Sequence, residues 1–318
     1  MPTSIKKNET NQVHLIAEWT YTTMRSDLML YAVWNRFTWR INGSLTLKGH
    51  SRAAEKTCFV VPELGLFLDG ALQCHLPPRV MCITHCHSDH STAIPMILTG
   101  ITTVPNIYVP RESFGLFDNY LQCHYQLAKG SAHAESKRYK LHGKLPGDVW
   151  RETIKGREYE FRAIKCYHSV PTIGYGLSAV KNKMRADLVP KIASMKPHEI
   201  GRMRREIEEI GGSMTEECLE PILTFLCDTT PQVFEDPAIF TYPTIIVECT
   251  NLYDEHEHYA VANKHICWTQ IRDIVIEHPD NLFVLIHFSM RYSWEEIDEF
   301  FEKETQEHGI SNIYIWRN

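Results

Sequence analysis

Val80–His90 reads VMCITHCHSDH. It opens on an apolar, β-prone run, Val80-Met81-Cys82-Ile83-Thr84, and then delivers His85, His87, Asp89 and His90 within six positions. On an extended backbone side chains alternate, so His85 and His87 point the same way. A turn after the strand brings Asp89 and His90 round to the same spot. Imidazole and carboxylate at the C-terminal end of a buried strand suit zinc and similar divalent metals. A polar loop could carry one stray histidine. It would not supply four ligand residues at H-x-H-x-D-H spacing behind a buried strand.

The same device recurs along the chain. A buried β-run ends directly in a metal-ligand residue at Thr84→His85, Tyr167→His168, Cys227→Asp228 and Ile286→His287. Taken singly the later ones are bland: His168 is a strand-end histidine, and Asp228 before Thr229-Thr230-Pro231 is a turn starter. Strand ends on one edge of a sandwich converge, so the recurrence predicts one site assembled from distant sequence.

The chain has 318 residues, enough to bury a sizeable core, and 43% hydrophobic with 23% charged content is ordinary for a globular protein. A net charge of −6 means that a phosphate-binding surface must come from clustered basic residues. The ten cysteines form no paired C-x-x-C pattern. Cys58, Cys82, Cys166, Cys227 and Cys249 sit inside apolar runs, as small buried hydrophobes do. With no secretory signal at the N-terminus, these cysteines point to a reducing, intracellular, cytoplasmic compartment. No apolar run approaches the ~18 residues of a membrane span.

Residues 1–44 read as an N-terminal extension of unassigned role, with a hairpin or a strand plus short helix in the aromatic-rich segment from His14 to Ile41. From Leu45 the pattern turns strand-like, through Thr57–Val61 and Leu64–Gly70. Ser91–Gly100 and residues 111–128 read as helices, and residues 107–110 as a strand. Residues 129–165 hold ten Lys or Arg against five Asp or Glu. Strands follow at Tyr159–Ile164 and Ile173–Val180. Residues 181–212 then read as a basic insertion, with a short helix over Pro197–Ile210, outside the core sheet. Strands resume at Ile222–Leu226, Pro243–Glu248 and Leu282–Ile286. Helical stretches fill Glu255–Glu277, looped around His265, and Trp294–Glu307.

H-x-H-x-D-H resembles the signature of the metallo-β-lactamase superfamily, whose members carry two metals in an αββα sandwich. Further segments, from Thr57 to Tyr292, sharpen the resemblance to the tRNase Z family in its short form. They are TCFVVPELGLFLDG, ITHCHSDHSTAIPM, CYHSVPTIGYG, FLCDTTP, IIVECTNLYDEHEH, Lys264-His265 and LIHFSMRY. The resemblance implies an α/β fold, an αββα sandwich over residues 45–318 with a small basic arm at about 181–220. Bacterial members carry a Gly-Pro-rich arm, and this insertion resembles the smaller arm of the eukaryotic short form.

The resemblance also implies roles. One metal takes His85, His87 and His168, a second takes Asp89, His90 and His287, and Asp228 bridges both. Zinc is the expected ion; manganese or iron also fits mixed nitrogen and oxygen ligands. Metal-held hydroxide would attack a phosphodiester of precursor tRNA and release the 3′ trailer. Asp89 would accept the proton of the attacking water. His265 would serve as general acid, oriented by Glu248. Asp69 would brace the metal loop. Ser289 and Arg291 would meet phosphate, while Tyr292 is structural. Lys181, Lys183, Arg185, Lys191, Arg202, Arg204 and Arg205 would grip RNA. A homodimer is implied. Two rivals stay open: a hydrolase of the same fold acting on small β-lactams or cyclic phosphodiesters, and a non-catalytic RNA-binding scaffold.

Overall fold

The structure is a computed structural model that describes residues 38–42, 44–99, 101–135 and 138–317. The expected element over His14–Ile41 lies outside the described residues except for its last four positions. Those open a first sheet, in the order β1 (Thr38–Asn42), β2 (Leu45–Arg52), β3 (Lys56–Val61), β4 (Leu66–Leu68), β5 (Val80–Cys82), β6 (Asn106–Pro110) and β7 (Lys140–Lys144). Because β1 pairs antiparallel with β2, the expected domain boundary at Leu45 falls inside a hairpin, and among the described residues the first sheet extends back to Thr38.

A second sheet runs β14 (Ile313–Ile315), β13 (Leu282–Ile286), β12 (Thr244–Glu248), β11 (Thr215–Leu226), β10 (Ile173–Met184), β9 (Arg157–Lys165), β8 (Val149–Ile154). Among the described residues each sheet has seven strands, and the two share one plan. The first four strands pair antiparallel and the fourth to seventh pair parallel. Parallel strands need crossover connections that cover both faces, so β5 and β12 are buried throughout, β5 as an apolar run and β12 with an apolar centre over Ile245–Val247.

Three cores follow from this layering. Phe59, Leu68, Cys82, Phe161, Tyr175, Phe225, Ile246 and Trp316 fill the space between the sheets. On the outer face of the first sheet lie helices α1 (Ser88–Ser91), α2 (Ile94–Thr99) and α3 (Phe114–Lys129); Val60, Met81 and Ile107 pack on α2 and α3, through Ile94, Ile97, Phe117 and Leu121. On the outer face of the second sheet, Ile245, Val247 and Leu285 meet the later helices through Trp268, Ile271, Ile297 and Phe301. The layers are helix, sheet, sheet, helix. The buried Tyr175 hydroxyl ties the sheets together, 2.7 Å from Ile83 O and 2.9 Å from Tyr108 O.

The arm departs from expectation. β10 and β11 stay paired from Tyr175↔Phe225 out to Met184↔Thr215, so residues 181–184 and 215–220 continue the core sheet as a projecting hairpin. Its tip carries α4 (Val189–Ile192) and α5 (Pro197–Glu209). Nor is the arm basic as a whole. Eight Lys or Arg over residues 181–220 meet eight Asp or Glu, because the acids cluster after Arg205. Lys181 pairs with Glu220, Arg185 with Asp187 and Arg204 with Glu208. The other arm cations, Lys183, Lys191, Lys196, Arg202 and Arg205, are exposed.

Candidate metal centre

Four strand ends meet at one edge of the sandwich. β5 ends at Cys82 and leads to His85, His87, Asp89 and His90. β9 leads to His168, β11 to Asp228 and β13 to His287. The structure brings all seven of these predicted side chains together. At two of these strand ends, and also after the neighbouring β4, the chain turns through the left-handed region at a non-glycine residue: Asp228 (φ +56°), His287 (φ +64°) and Asp69 after β4 (φ +59°). Such a turn is costly for a residue with a Cβ and persists only where the surroundings enforce it.

Asp228 is the centre of the arrangement. Its Oδ1 lies 3.5 Å from His90 Nε2 and 3.2 Å from His287 Nε2. Its Oδ2 lies 3.5 Å from His85 Nε2 and 3.6 Å from His168 Nε2. One oxygen thus faces each of two histidine groups. His87 Nδ1 completes the first group, 3.0 Å from His85 Nε2 and 3.3 Å from His168 Nε2. Asp89 joins the second, with Oδ2 3.7 Å from His90 Nε2 and 3.9 Å from His287 Nε2.

Behind the cluster, neighbours hold four of the rings, those of His85, His90, His168 and His287, with Nδ1 outward and Nε2 inward; His87 is the exception, with Nδ1 inward. Thr84 Oγ1 is 3.0 Å from His85 Nδ1. Asp69 Oδ2 accepts from His90 Nδ1 at 2.8 Å. The Lys264 carbonyl accepts from His168 Nδ1 at 3.1 Å, and Thr250 Oγ1 is 3.1 Å from His287 Nδ1. Asp69 is itself fixed by the Thr84 N–H at 2.7 Å. It braces the loop as expected. Next to it, Gly70 allows α2 to approach: a Cβ there would lie 2.5 Å from Ile94 Cγ1. An Asp69→Asn substitution is expected to weaken cation binding on the His90 side by about tenfold to a hundredfold. Competition titration against a chelator reads that loss.

Electrostatics prepares the set. Burial and the neighbouring His90 push His85 well below the usual histidine range, and burial lowers His168. Both therefore offer lone pairs at neutral pH. Burial would raise Asp228, but the imidazoles of His287 and His90 outweigh it and hold the carboxyl well below its usual range.

Beside the cluster sits His265. Its Nδ1 is 2.9 Å from Glu248 Oε1. Glu248 is fully buried and also accepts from Thr229 N at 2.8 Å, from Ile266 N at 3.2 Å and from the Thr250 hydroxyl. Burial alone would lower His265, but Glu248 outweighs it and lifts the ring to about 9. The His265 ring centroid lies 5.0 Å from that of His168 and 5.6 Å from that of His287. The bulky residues after it, Ile266, Cys267 and Trp268, are fully buried, which anchors the loop.

Ser289 and Arg291 follow His287 on the closing loop. Ser289 donates its backbone N–H to Thr250 O at 3.0 Å, and the exposed Arg291 lies over the Tyr259 ring at 4.9 Å. Tyr292 is buried, with its hydroxyl 2.6 Å from His256 Nδ1. Several positioning groups are absent from the sequence reading. The Ala54 N–H meets Asp89 Oδ2 at 3.0 Å, and Lys264 holds His168 through its carbonyl and, at 3.1 Å, its ammonium. Thr250 touches Glu248 and His287. Cys227 Sγ shares a 4.8 Å neighbourhood with His90, Asp228 and His287. Backbone groups carry no sequence signal, and Thr250 and Cys227 could have been found only by the ligands beside them.

No family model matches the chain. A chloroplastic tRNase Z of Arabidopsis thaliana is 26% identical over 266 residues, 80% of this chain and 71% of the relative. The crystal structure of a metallo-β-lactamase fold protein from Bacillus subtilis superposes with a TM-score of 0.54 at 12% identity, covering 86% of this chain and 97% of that one. The chain has the metallo-β-lactamase fold. Human short-form tRNase Z superposes with a TM-score of 0.50 at 14% identity, over 86% of this chain and 96% of that one.

The metallo-β-lactamase fold implies divalent metal ions, and the residues fit them. His90 Nε2 and His287 Nε2 are buried without a hydrogen-bond partner, and both face Asp228. Buried polar atoms left so are expensive. A cation placed among these imidazole nitrogens and carboxylate oxygens would satisfy both kinds of atom at once. His85, His87, His168 and Asp228 form one candidate set, and His90, Asp228 and His287, with Asp89 beside them, form the other.

Proposed function

We propose that this chain is a metal-dependent endoribonuclease that removes 3′ trailers from precursor tRNA. The placement of Asp228 between two histidine groups, with the His265–Glu248 pair at their side, carries the reading. The tRNase Z relative and the shared fold support it. His85, His87 and His168 would hold one ion and Asp89, His90 and His287 the other, with Asp228 offering an oxygen to each. Zinc is the ion proposed. Bound cations supply Lewis acidity, making water nucleophilic near neutral pH and offsetting charge on the scissile phosphate. Asp89 takes the proton of the attacking water. His265, charged through Glu248, gives its proton to the departing ribose 3′-oxygen. Ser289 and Arg291 contact phosphate at the closing loop.

The proposal extends to a cytoplasmic homodimer, which solution mass and cell fractionation test. Among the described residues no helix is long and apolar enough to cross a membrane. The direct test of function is incubation of the purified protein with a precursor tRNA bearing a 3′ trailer. Cleavage at the trailer junction is expected, and a chelator should stop it. An intact trailer at full metal load would end the proposal.

The arm separates this from small-ester hydrolysis. Converting Lys183, Lys191, Arg202 and Arg205 together to glutamate is expected to raise KM for precursor tRNA by roughly tenfold at low salt. It should also flatten the salt dependence of KM. A steady-state salt series reads both effects, and equal losses on a small phosphodiester would remove the arm from RNA binding.

A further inference from the structure

Next to the metal centre, on the His168 side, lies a cavity of about 480 Å³ whose other walls include Lys165, Tyr167, Thr230, Gln232 and Lys264. From this we infer a nucleotide subsite: Tyr167 stacks one base of the substrate, and Lys165 and Lys264 face its phosphates. The inference rests on the ribonuclease reading and extends it.

The geometry supports each part. His168 is shared by the cavity and the cluster, so a phosphate at the cluster extends its nucleoside into this space. Cavities of such a volume suit a ligand of nucleotide size. Tyr167 is half-buried, and its backbone N–H is fixed by Thr229 Oγ1 at 3.0 Å, which anchors the main chain from which the ring projects. The exposed Lys165 lies over that ring, its ammonium 4.7 Å from the centroid. A cation–π contact at an exposed site is weaker than base–aromatic stacking, so the amine yields the ring to a base and turns to phosphate. Lys264 is anchored by His168 O at 3.1 Å, which sets its charge at the boundary between cavity and cluster. Thr230 and Gln232 supply hydroxyl and amide groups for base edges. Stacking with sparse edge contacts is how proteins hold unpaired RNA bases.

Calorimetry on the metal-loaded protein tests this with adenosine 5′-monophosphate and inorganic phosphate as probes. The nucleotide is expected to bind more tightly than phosphate. Tyr167→Ala should weaken nucleotide binding by about tenfold or more while shifting phosphate little, and Tyr167→Phe should restore it. On precursor tRNA, Tyr167→Ala should act mainly on KM. Equal binding of the two probes by the native protein, or equal losses for both in Tyr167→Ala, would overturn the subsite. Nucleotide discrimination in a protein that leaves precursor tRNA uncut would keep the subsite and remove the ribonuclease reading.

Discussion

Asp228→Ala is expected to abolish hydrolysis and to leave the purified protein with fewer than two cations per chain. The reason is geometric. Asp228 gives one oxygen to His90 and His287 and the other to His85 and His168. No other carboxylate among the described residues stands between the two groups. Its removal takes a ligand from both sets and leaves converging imidazoles without their counter-charge. A fall of at least about a thousandfold in kcat/KM is expected, about 4 kcal/mol of barrier. Taking one partner from a buried charged set also destabilises a fold, by about 3–5 kcal/mol. Asp228→Asn keeps the shape and separates misfolding from lost ligation. Elemental analysis and turnover read the outcome. Two tightly held ions and native turnover in Asp228→Ala would leave the bridging role without support.

His265→Ala should instead retain both cations and lose kcat on precursor tRNA by about 10²–10⁴-fold, the usual worth of a positioned general acid. A p-nitrophenyl diester should suffer much less, since its leaving group departs without a proton. Glu248 sets the pH range. It lifts His265 to about 9, so the acid form persists below that pH and is lost as pH rises through it. Glu248→Gln withdraws the charge that lifts the ring, so the alkaline limb of the pH–rate profile should move to lower pH. The same sign governs stability. With the folded pKa above the free value, the ion pair contributes fully below about pH 6.5 and fades as pH passes about 9. A profile that does not move would remove Glu248 from the proton path.

The His85–His90 run is legible because its ligands lie together in sequence, behind a strand whose burial is plain from Val80 to Ile83. His168, Asp228 and His287 are legible only jointly, since each ends a strand and strand ends share an edge. Glu248 and His265 have no local pattern; their pairing depends on a loop reversal at Lys264 that only resemblance could suggest. The arm misleads for a different reason. Its cations precede its acids in sequence, but antiparallel pairing of β10 with β11 sets Lys183 against Glu216, and Lys181 bonds Glu220. Charge balance is a property of the folded hairpin there. The brace at Asp69 follows from a turn aspartate, but its grip on His90 Nδ1 does not.

Asp69, Asp228 and His287 each turn left-handed without the relief a glycine would bring, at roughly 1–3 kcal/mol apiece. A folded domain typically has a net stability of only about 5–15 kcal/mol. A cation that binds the folded chain alone offsets this strain, by an amount that grows with the logarithm of its free concentration. Stripping the ion with a chelator is therefore expected to lower the chain's melting temperature and to speed its digestion by an added protease, so that supply of the ion would bear on persistence of the fold as well as on chemistry.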